Sequence, residues 1–594
     1  MTWAMPPVAR DQLVLFESSL DEVIPQDHLV RVLDEILRSL DWSLFEAKYH
    51  GTLGARPVHP RVLTSAILYG HLTRVRSSRQ LEAALWCRVD FRWLAEGWQL
   101  DHSTLSIFRQ DFADLLLGIN TQFGLLAYQM GVTTLTQFGF DGTRLRASSS
   151  RSRIVDVAKL DEIEQQLQKS FAELEQQVAN ADAQDEEQLG DASLHRVEQQ
   201  LAKTENRLAA VRRAQAEIAR VKAAQEPVPQ RIPLTDPQSR LSPNKEGGFA
   251  PNYTPLSNVD MESGLILDGD VIQNTDEEQH LVASLDALEA RFAAAGLKQH
   301  VESLAADSKF VTGPNLADLA ERQTTFYGPI APQPEIVKRT DGRTPIPSEQ
   351  WKQLPIVVVR KGTKGQPDQV QLAKEAFLYD AAENCYWCPP GEKLSYTGTT
   401  SETKKGTKRR VVRQRYRAEP SACESCPLRA QCLQGEGTAR TLSRDQYDDH
   451  REVLRQRLAA EKAALEKAVT ANASIEKATT ENSTTENSSL ATSTTEKSTT
   501  STKTSTTAKV FTHLGRRQSE GERPFAVVKQ QMGIRQFLLR GLANVTKEWR
   551  WMTSSANMQV MIRWWRSYRD RLPSPLRMSL TGTGARASPS PVGP

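Results

Sequence analysis

Three acidic residues stand where a carboxylate can hold a metal ion against a phosphodiester. Asp141 ends the alternating segment Thr134 to Phe140 and precedes Gly142, Asp307 ends the apolar run Val301 to Ala306, and Glu522 lies two residues ahead of Pro524. Each also has a plain structural reading. Asp-Gly is a turn dipeptide, Asp307 can cap a following helix, and Glu522 comes three residues after Ser519 in a capping-box pattern. What the three share is position, at the ends of two strands and a helix within an α/β layer. Two divalent ions about 3.5 to 4 Å apart can activate an attacking oxygen and stabilise a leaving one, which needs one bridging carboxylate and others beside it. Mg²⁺ suits such a set, since it takes a few carboxylates together with water and phosphate oxygens. Asp260, in Asn258-Val-Asp260, also ends a strand-like segment and reads as scaffold.

A second constellation is built from sulfur. Of six cysteines, five fall between Cys385 and Cys432, as Cys385-Tyr-Trp-Cys388, Cys423-Glu-Ser-Cys426 and Cys432, with Pro389 and Pro427 following the two pairs. Tetrahedral Zn²⁺ needs four thiolates delivered by tight knuckles, so five candidates compete for four places, and spacing alone favours the two pairs. Free buried thiols are the alternative. Cys87 sits in an apolar helical stretch and reads as core. Between the knuckles lie Lys408-Arg-Arg410, Arg413, Arg415 and Arg417, which can track phosphates, with Tyr416 stacking on an unpaired base, or form a solvated loop.

The elements that must position these groups follow from periodicity and punctuation. Residues 1–130 read as a helical domain serving DNA binding or assembly: Leu29, Val32, Leu33, Ile36 and Leu40 recur at helical spacing, Pro60 opens a second helix, and Ser77 to Gln80 and Asp101 give start signals. Residues 131–150 hold the Asp141 strand and a short partner from Thr143 to Ala147. Residues 151–228 read as an antiparallel helical hairpin turning near Gly190, and 229–330 as strands at Ser257 to Met261 and Leu265 to Ile272, a helix from Glu278 to Ala295, the Asp307 strand and a helix from Gly313. Residues 331–450 are basic, Cys-rich and irregular apart from a strand at Ile356 to Val359. Residues 451–510 read as a helix followed by a Thr/Ser-rich repeat, disordered from Thr470 to Ala508, because it cannot bury enough apolar surface to offset its ordering entropy. Residues 511–572 carry Arg- and Trp-rich helices, in which Trp549, Trp551, Trp564 and Trp565 read as core, and 573–594 read as a disordered tail.

Composition sets the class. With 39% apolar and 25% charged residues in 594, the chain is globular and multidomain, neither wholly disordered nor, with no apolar run near the length of a membrane span, membrane-embedded. A cytoplasmic location follows. The net charge of +3 says little by itself. From Arg516 to Arg577, however, basic residues outnumber acidic ones by about three to one, whereas Asp156 to Glu198 is acidic, a separation that suits docking of a polyanion by one part of the chain.

On these residues the chain resembles the bacterial insertion-sequence DDE transposases. Ile24-Pro-Gln-Asp-His28, Arg76-Ser-Ser-Arg79 and Asp101-His-Ser-Thr104 resemble their amino-terminal helical domain, Phe140-Asp-Gly-Thr143 their first-aspartate motif, and Glu522-Arg-Pro-Phe525 with Lys529 their glutamate-helix signature, continued by Phe537 to Gly541, Asn544, Glu548 and Asn557. The resemblance implies an α/β fold with a ribonuclease H-like core, interrupted by the helical hairpin and a zinc-bearing insertion. It implies cleavage and strand transfer by Asp141, Asp307 and Glu522 with two Mg²⁺ or Mn²⁺ ions, on transposon ends and target DNA. Arg144, Arg517, Lys529, Arg535 and Arg540 are the expected DNA contacts, a homodimer or higher assembly the expected partner state, and the nucleoid the expected place. It also favours Cys388, Cys423, Cys426 and Cys432 as zinc ligands, with Cys385 as the alternative. A catalytically inactive, transposase-derived DNA-binding protein would share every binding feature.

Overall fold

The computed structural model describes residues 19–49, 57–183, 191–243, 247–274, 276–338, 341–360, 369–403, 410–433, 437–485 and 522–572. It divides into two compact units, one made of residues up to 224, 228–301 and from 518 onward, the other of 225–227 and 302–517.

The first unit begins with helices α1 (Leu29–Arg38), α2 (Pro60–Leu72), α3 (Ser78–Cys87), α4 (His102–Asp111) and α5 (Leu116–Gln129). Their starts are fixed as expected: Ser77 and Gln80 cap each other reciprocally, and Asp101 accepts from the amides of Ser103 and Thr104. Cys87 does not join the core. Leu81, Ala84 and Leu85 take the buried stripe of α3, which leaves Trp86 and Cys87 in solvent at its end.

Strand β1 (Gln137–Gly142) starts later than its alternation suggests, because Leu135 takes a left-handed φ of 57° and Thr133 accepts its amide. After β2 (Leu145–Arg146) and β3 (Ile154–Asp156), α6 (Leu160–Ala183) and α7 (Asp191–Ala223) form the hairpin. They run antiparallel: Gln215 and Arg212, near the end of α7, bond Asp161 and Glu164 near the start of α6. The expected turn at Gly190 lies outside the described residues. Strands β4 (Arg231–Pro233), β5 (Arg240–Pro243), β6 (Phe249–Asp260) and β7 (Ile266–Ile272) follow, then α8 (Leu281–Ala294). β6 is the spine of the sheet. It pairs antiparallel with β1 on one edge, Asp141 opposite Ser257, and with β7 on the other, while β2 and β5 pair along its first half. It begins eight residues before its expected start, since Pro251 and Pro255 read as breaks. The carbonyl of Pro255 nevertheless accepts the amide of Thr143.

The last segment of the unit carries α9 (Arg523–Ala526), a π-helical turn over Val527–Gln531 and α10 (Leu542–Tyr568). Helix α10 is buried on nearly every side, the mark of a central helix. Trp549 and Met552 pack on the β6–β7 side with Tyr253, Val259 and Ile266, and Trp549, Trp551 and Trp565 are core as expected. Polar ties join α10 to the amino-terminal helices: Ser554 to Asn120, Ser555 to His71, and the Trp551 indole to the carbonyl of Arg109. Asn557 accepts from the amide and donates to the carbonyl of Ile266, satisfying the edge of β7 as a strand would. The matched Arg76 and Glu548 form a partly buried ion pair at 3.2 Å.

Asp260 serves as scaffold. It is fully buried and accepts from the Ser263 amide and from the hydroxyls of Ser263 and Thr133. Burial pushes its carboxyl from 3.8 up to about 6. A folded value above the unfolded one means that the native state keeps this proton longer, so the group's contribution to stability falls as pH rises from about 4 to about 6. Asp260→Asn removes that slope. Melting curves across this range should show the variant gaining on the wild type by up to about 3 kcal/mol on going from pH 4 to 7; a constant difference would contradict the assignment.

In the second unit, β8 (Ser303–Ala306) and β9 (Thr325–Tyr327) pair in parallel around the helix Gly313–Glu321, and β10 (Ile356–Arg360) pairs with β11 (Gln369–Leu372). The Cys-rich stretch is not irregular. It forms an antiparallel sheet in chain order from β12 (Leu378–Asp380), β13 (Cys385–Trp387), β14 (Lys393–Thr403), β15 (Arg410–Ala418) and β16 (Thr441–Asp445), two of whose strands are only three residues long and the longest mostly Thr and Ser. The helix Asp448–Thr485 runs on into the Thr/Ser-rich tract, where the expectation was disorder from Thr470; extending an existing helix costs far less than starting one. The tract beyond 485 and the tail from 573 lie outside the described residues. Among the described residues no helix is long and apolar enough to cross a membrane.

Candidate active site

Asp141 occupies the end of β1, half-buried, with its carboxylate accepting the amide of Gly142 at 2.8 Å. Gly142 admits a close approach, and its φ is not left-handed. A methyl group there would collide with the carboxyl of Glu277, whose Cδ would lie 2.7 Å away. Glu277 is buried and sets a second carboxyl against the strand end that carries Asp141. Sequence reasoning passed over it, because Asp276-Glu-Glu278 reads as the acidic first turn of a helix. The signal available was the bare Gly after Asp141.

The glutamate segment reaches the same strand end. Glu522 is exposed and begins α9 with helical φ and ψ of −87° and −16°, its side chain making no capping bond. Its expected partner Ser519 lies outside the described residues. Pro524 and Phe525 are buried, and Phe525 stacks on Trp549 with ring centroids 6.4 Å apart. The π turn that follows is a geometry found mostly at functional sites. It carries Lys529, whose ammonium donates to the hydroxyl of Thr143, two residues beyond Asp141. The chain is also stitched further along, where Phe537 N donates to Arg146 O and Arg146 N to Arg535 O. The strand end of Asp141 and the helix start of Glu522 are thereby held within one unit.

Asp307 belongs to the second unit. It follows β8, is exposed, and accepts the Ser308 amide at 2.6 Å as the cap of a short 3₁₀ turn. Neither unit by itself brings it together with the other two. Among the described residues no group of three or more His, Cys, Asp or Glu side chains is arranged to hold a metal ion.

The expected DNA contacts that are described all lie along residues 143–148: Arg144 is exposed and donates to Pro243 O, the exposed Arg540 donates to Ser148 O, the carbonyl of the exposed Arg535 accepts the Arg146 amide, and Lys529 donates to Thr143; Arg517 lies outside the described residues. Tyr416 is no stacking platform. Its ring is wholly buried and its hydroxyl bonds Asn384 and Gln414. Lys408 and Arg409 lie outside the described residues.

Four cysteines line one apolar pocket in the second unit, Cys388, Cys423, Cys426 and Cys432, with Leu428 and Arg440 beside them. Cys385 is buried separately in β13. Burial pushes the Cys388 thiol up to about 12 and that of Cys432 up to about 11, with neighbouring sulfurs adding to the rise.

Two family profiles match the chain. One described as a transposase domain (DUF772) matches residues 18–111, and one described as a transposase DDE domain matches residues 229–558. The longer match takes in Asp307 and Glu522 and begins after Asp141. No curated protein and no solved structure matches the chain.

Proposed function

Because the chain belongs to the transposase DDE-domain family and is a DNA transposase, we propose that it binds the terminal inverted repeats of a mobile element and cuts and rejoins DNA with Asp141, Asp307 and Glu522 as its acidic residues. The observation that carries this reading is the Lys529 to Thr143 bond, which ties the glutamate segment to the strand end of Asp141. The fold reading agrees: strands β7, β6 and β1 are the antiparallel set, and β8 and β9 the parallel pair, that a ribonuclease H-like core contains.

The donor set fits Mg²⁺ or Mn²⁺, since these are carboxylates at element ends with a further buried carboxyl, Glu277, packed beside Asp141. Asp141, Asp307 and Glu522 would hold two such ions, which supply activation of the attacking oxygen and stabilisation of the leaving one. The protein's own part is orientation and charge. Gly142 lets Glu277 close against the strand, fixing the backbone that aims Asp141. Lys529 holds Thr143 and brings a cation to the site where a phosphate would lie. Transposition joins two ends, so a homodimer or higher assembly on DNA is part of the proposal.

The test is divalent-metal-dependent nicking of a duplex carrying the element's end. Wild type should cut and Asp141→Ala and Asp307→Ala should not, with equal product from all three rejecting the assignment. The second reading, an inactive DNA-binding relative, shares every binding feature and predicts binding without any cut product.

For the sulfur cluster we propose a structural Zn²⁺ held by Cys388, Cys423, Cys426 and Cys432. Donor type and number fit, and the four share one pocket that Cys385 does not line. Purified protein should contain about one zinc per chain, and Cys426→Ser should lose it together with the cooperative melting of the second unit, whereas Cys385→Ser should keep the metal. Metal retained by Cys426→Ser would reject this ligand set.

A further inference from the structure

The register of the second unit's sheet places a row of arginines on one outward face. In β15, Arg413, Arg415 and Arg417 alternate with Gln414, Tyr416 and Ala418, and all three are exposed. Opposite them stand Thr400, Gly398 and Ser395 of β14 and Asp445, Ser443 and Thr441 of β16. The other face carries Leu394, Tyr416 and Leu442, which are buried in the unit's core, so the arginine face is turned away from it. Same-face residues of a strand recur about every 6.7 Å, so the row spans about 13 Å.

The charges on this face leave a net positive strip. Arg413 pairs with Glu402 at 2.9 Å, an exposed pair of small energetic weight, and Asp445 is already taken by Arg451. Arg417 donates to the Thr438 hydroxyl. Among the described residues neither Arg415 nor Arg417 has a carboxylate partner. Small residues flank the row on both sides, so nothing bulky keeps a flat, charged ligand off it. The β14–β15 ribbon also continues past β16, with Ser401, Glu402 and Thr403 exposed.

We propose that this face binds duplex DNA through its phosphates, as a docking surface separate from the acidic residues. The proposal rests on the transposase reading for its choice of polyanion. Guanidinium groups in a row on a sheet face match the phosphate oxygens of a duplex backbone. Such contacts position DNA and carry no sequence preference.

The experiment uses the full chain with EDTA present, so that no cutting intervenes, and measures binding to an end-containing and an unrelated duplex from about 50 to 400 mM salt. Replacing Arg415 and Arg417 together by Ala should make the slope of log affinity against log salt shallower by about 1.8, and weaken binding roughly sixtyfold at 0.1 M salt, equally on both duplexes. The Arg415→Gln, Arg417→Gln protein should behave the same, which separates lost charge from a loosened strand. The double Lys variant should recover most of the slope. An unchanged slope in protein that binds overturns the placement of the surface, and stronger competition by single-stranded RNA than by duplex overturns the choice of ligand. Wild type that ignores duplex DNA altogether would instead reject the transposase reading beneath it.

Discussion

Glu522→Gln should cut an end-containing duplex at least about a thousandfold more slowly than wild type while melting at the same temperature. The side chain is exposed, Gln keeps its shape and hydrogen-bonding capacity, and the buried Pro524 and Phe525 still anchor the helix start. What Gln lacks is the charge that a metal ion needs. A thousandfold corresponds to about 4 kcal/mol of transition-state stabilisation, the scale expected of a metal ligand. Binding of the uncut duplex should be unaltered, which divides this residue from the arginine face. Cleavage at the wild-type rate would remove Glu522 from the site and leave its family signature as a packing motif.

Glu548→Ala should be the most destabilising single change in the first unit, by about 3 to 5 kcal/mol, read as a shift in the denaturation midpoint. Glu548 is largely buried, accepts the amides of Leu538 and Leu539 at about 3.0 Å and pairs with Arg76. Arg109 lies close by and donates to the carbonyl of Arg76. Burial raises the Glu548 carboxyl and lowers Arg109 to about 10, so desolvation outweighs attraction for both. The network is held by geometry rather than by surplus charge energy. Removing its one acid leaves two partly buried guanidinium groups without that counterion. Glu548→Gln, which keeps an acceptor for the amides, should lose less, and equal losses would mean that the charge is not what matters.

Much of this architecture could be read from the chain, and the misses have physical causes. Helix starts were legible because Ser77 and Asp101 cap locally, through bonds that span two or three residues. β6 was only half visible, since its two prolines argue against a strand whose pairing is supplied by distant partners. The sheet around the cysteines was hidden because its strands are short or rich in Thr, Ser and Arg, with few apolar residues such as Leu394, Tyr416 and Leu442 to mark the buried face. Glu277 illustrates a different limit. Its place against Gly142 depends on where the end of β7 meets the end of β1, which no local pattern encodes. Arg76, Glu548 and Asn557 were noticed as motif residues, and their work proved to be holding α10 to its neighbours.

The chain leaves the first unit after residue 301 and re-enters it at 518. During synthesis on a ribosome, at about 5 to 20 residues per second, the amino-terminal helices and β1 therefore wait roughly 20 to 80 seconds for α10, the helix whose tryptophans complete their core. Until then Ile266, which packs with Trp549, and Phe108, which packs on Trp551, lack their partners. A nascent or truncated chain that stops before Glu522 carries the first aspartate without its scaffold. The first unit is thus completed only after the whole of the second has been synthesised, an order imposed by the path of the chain alone.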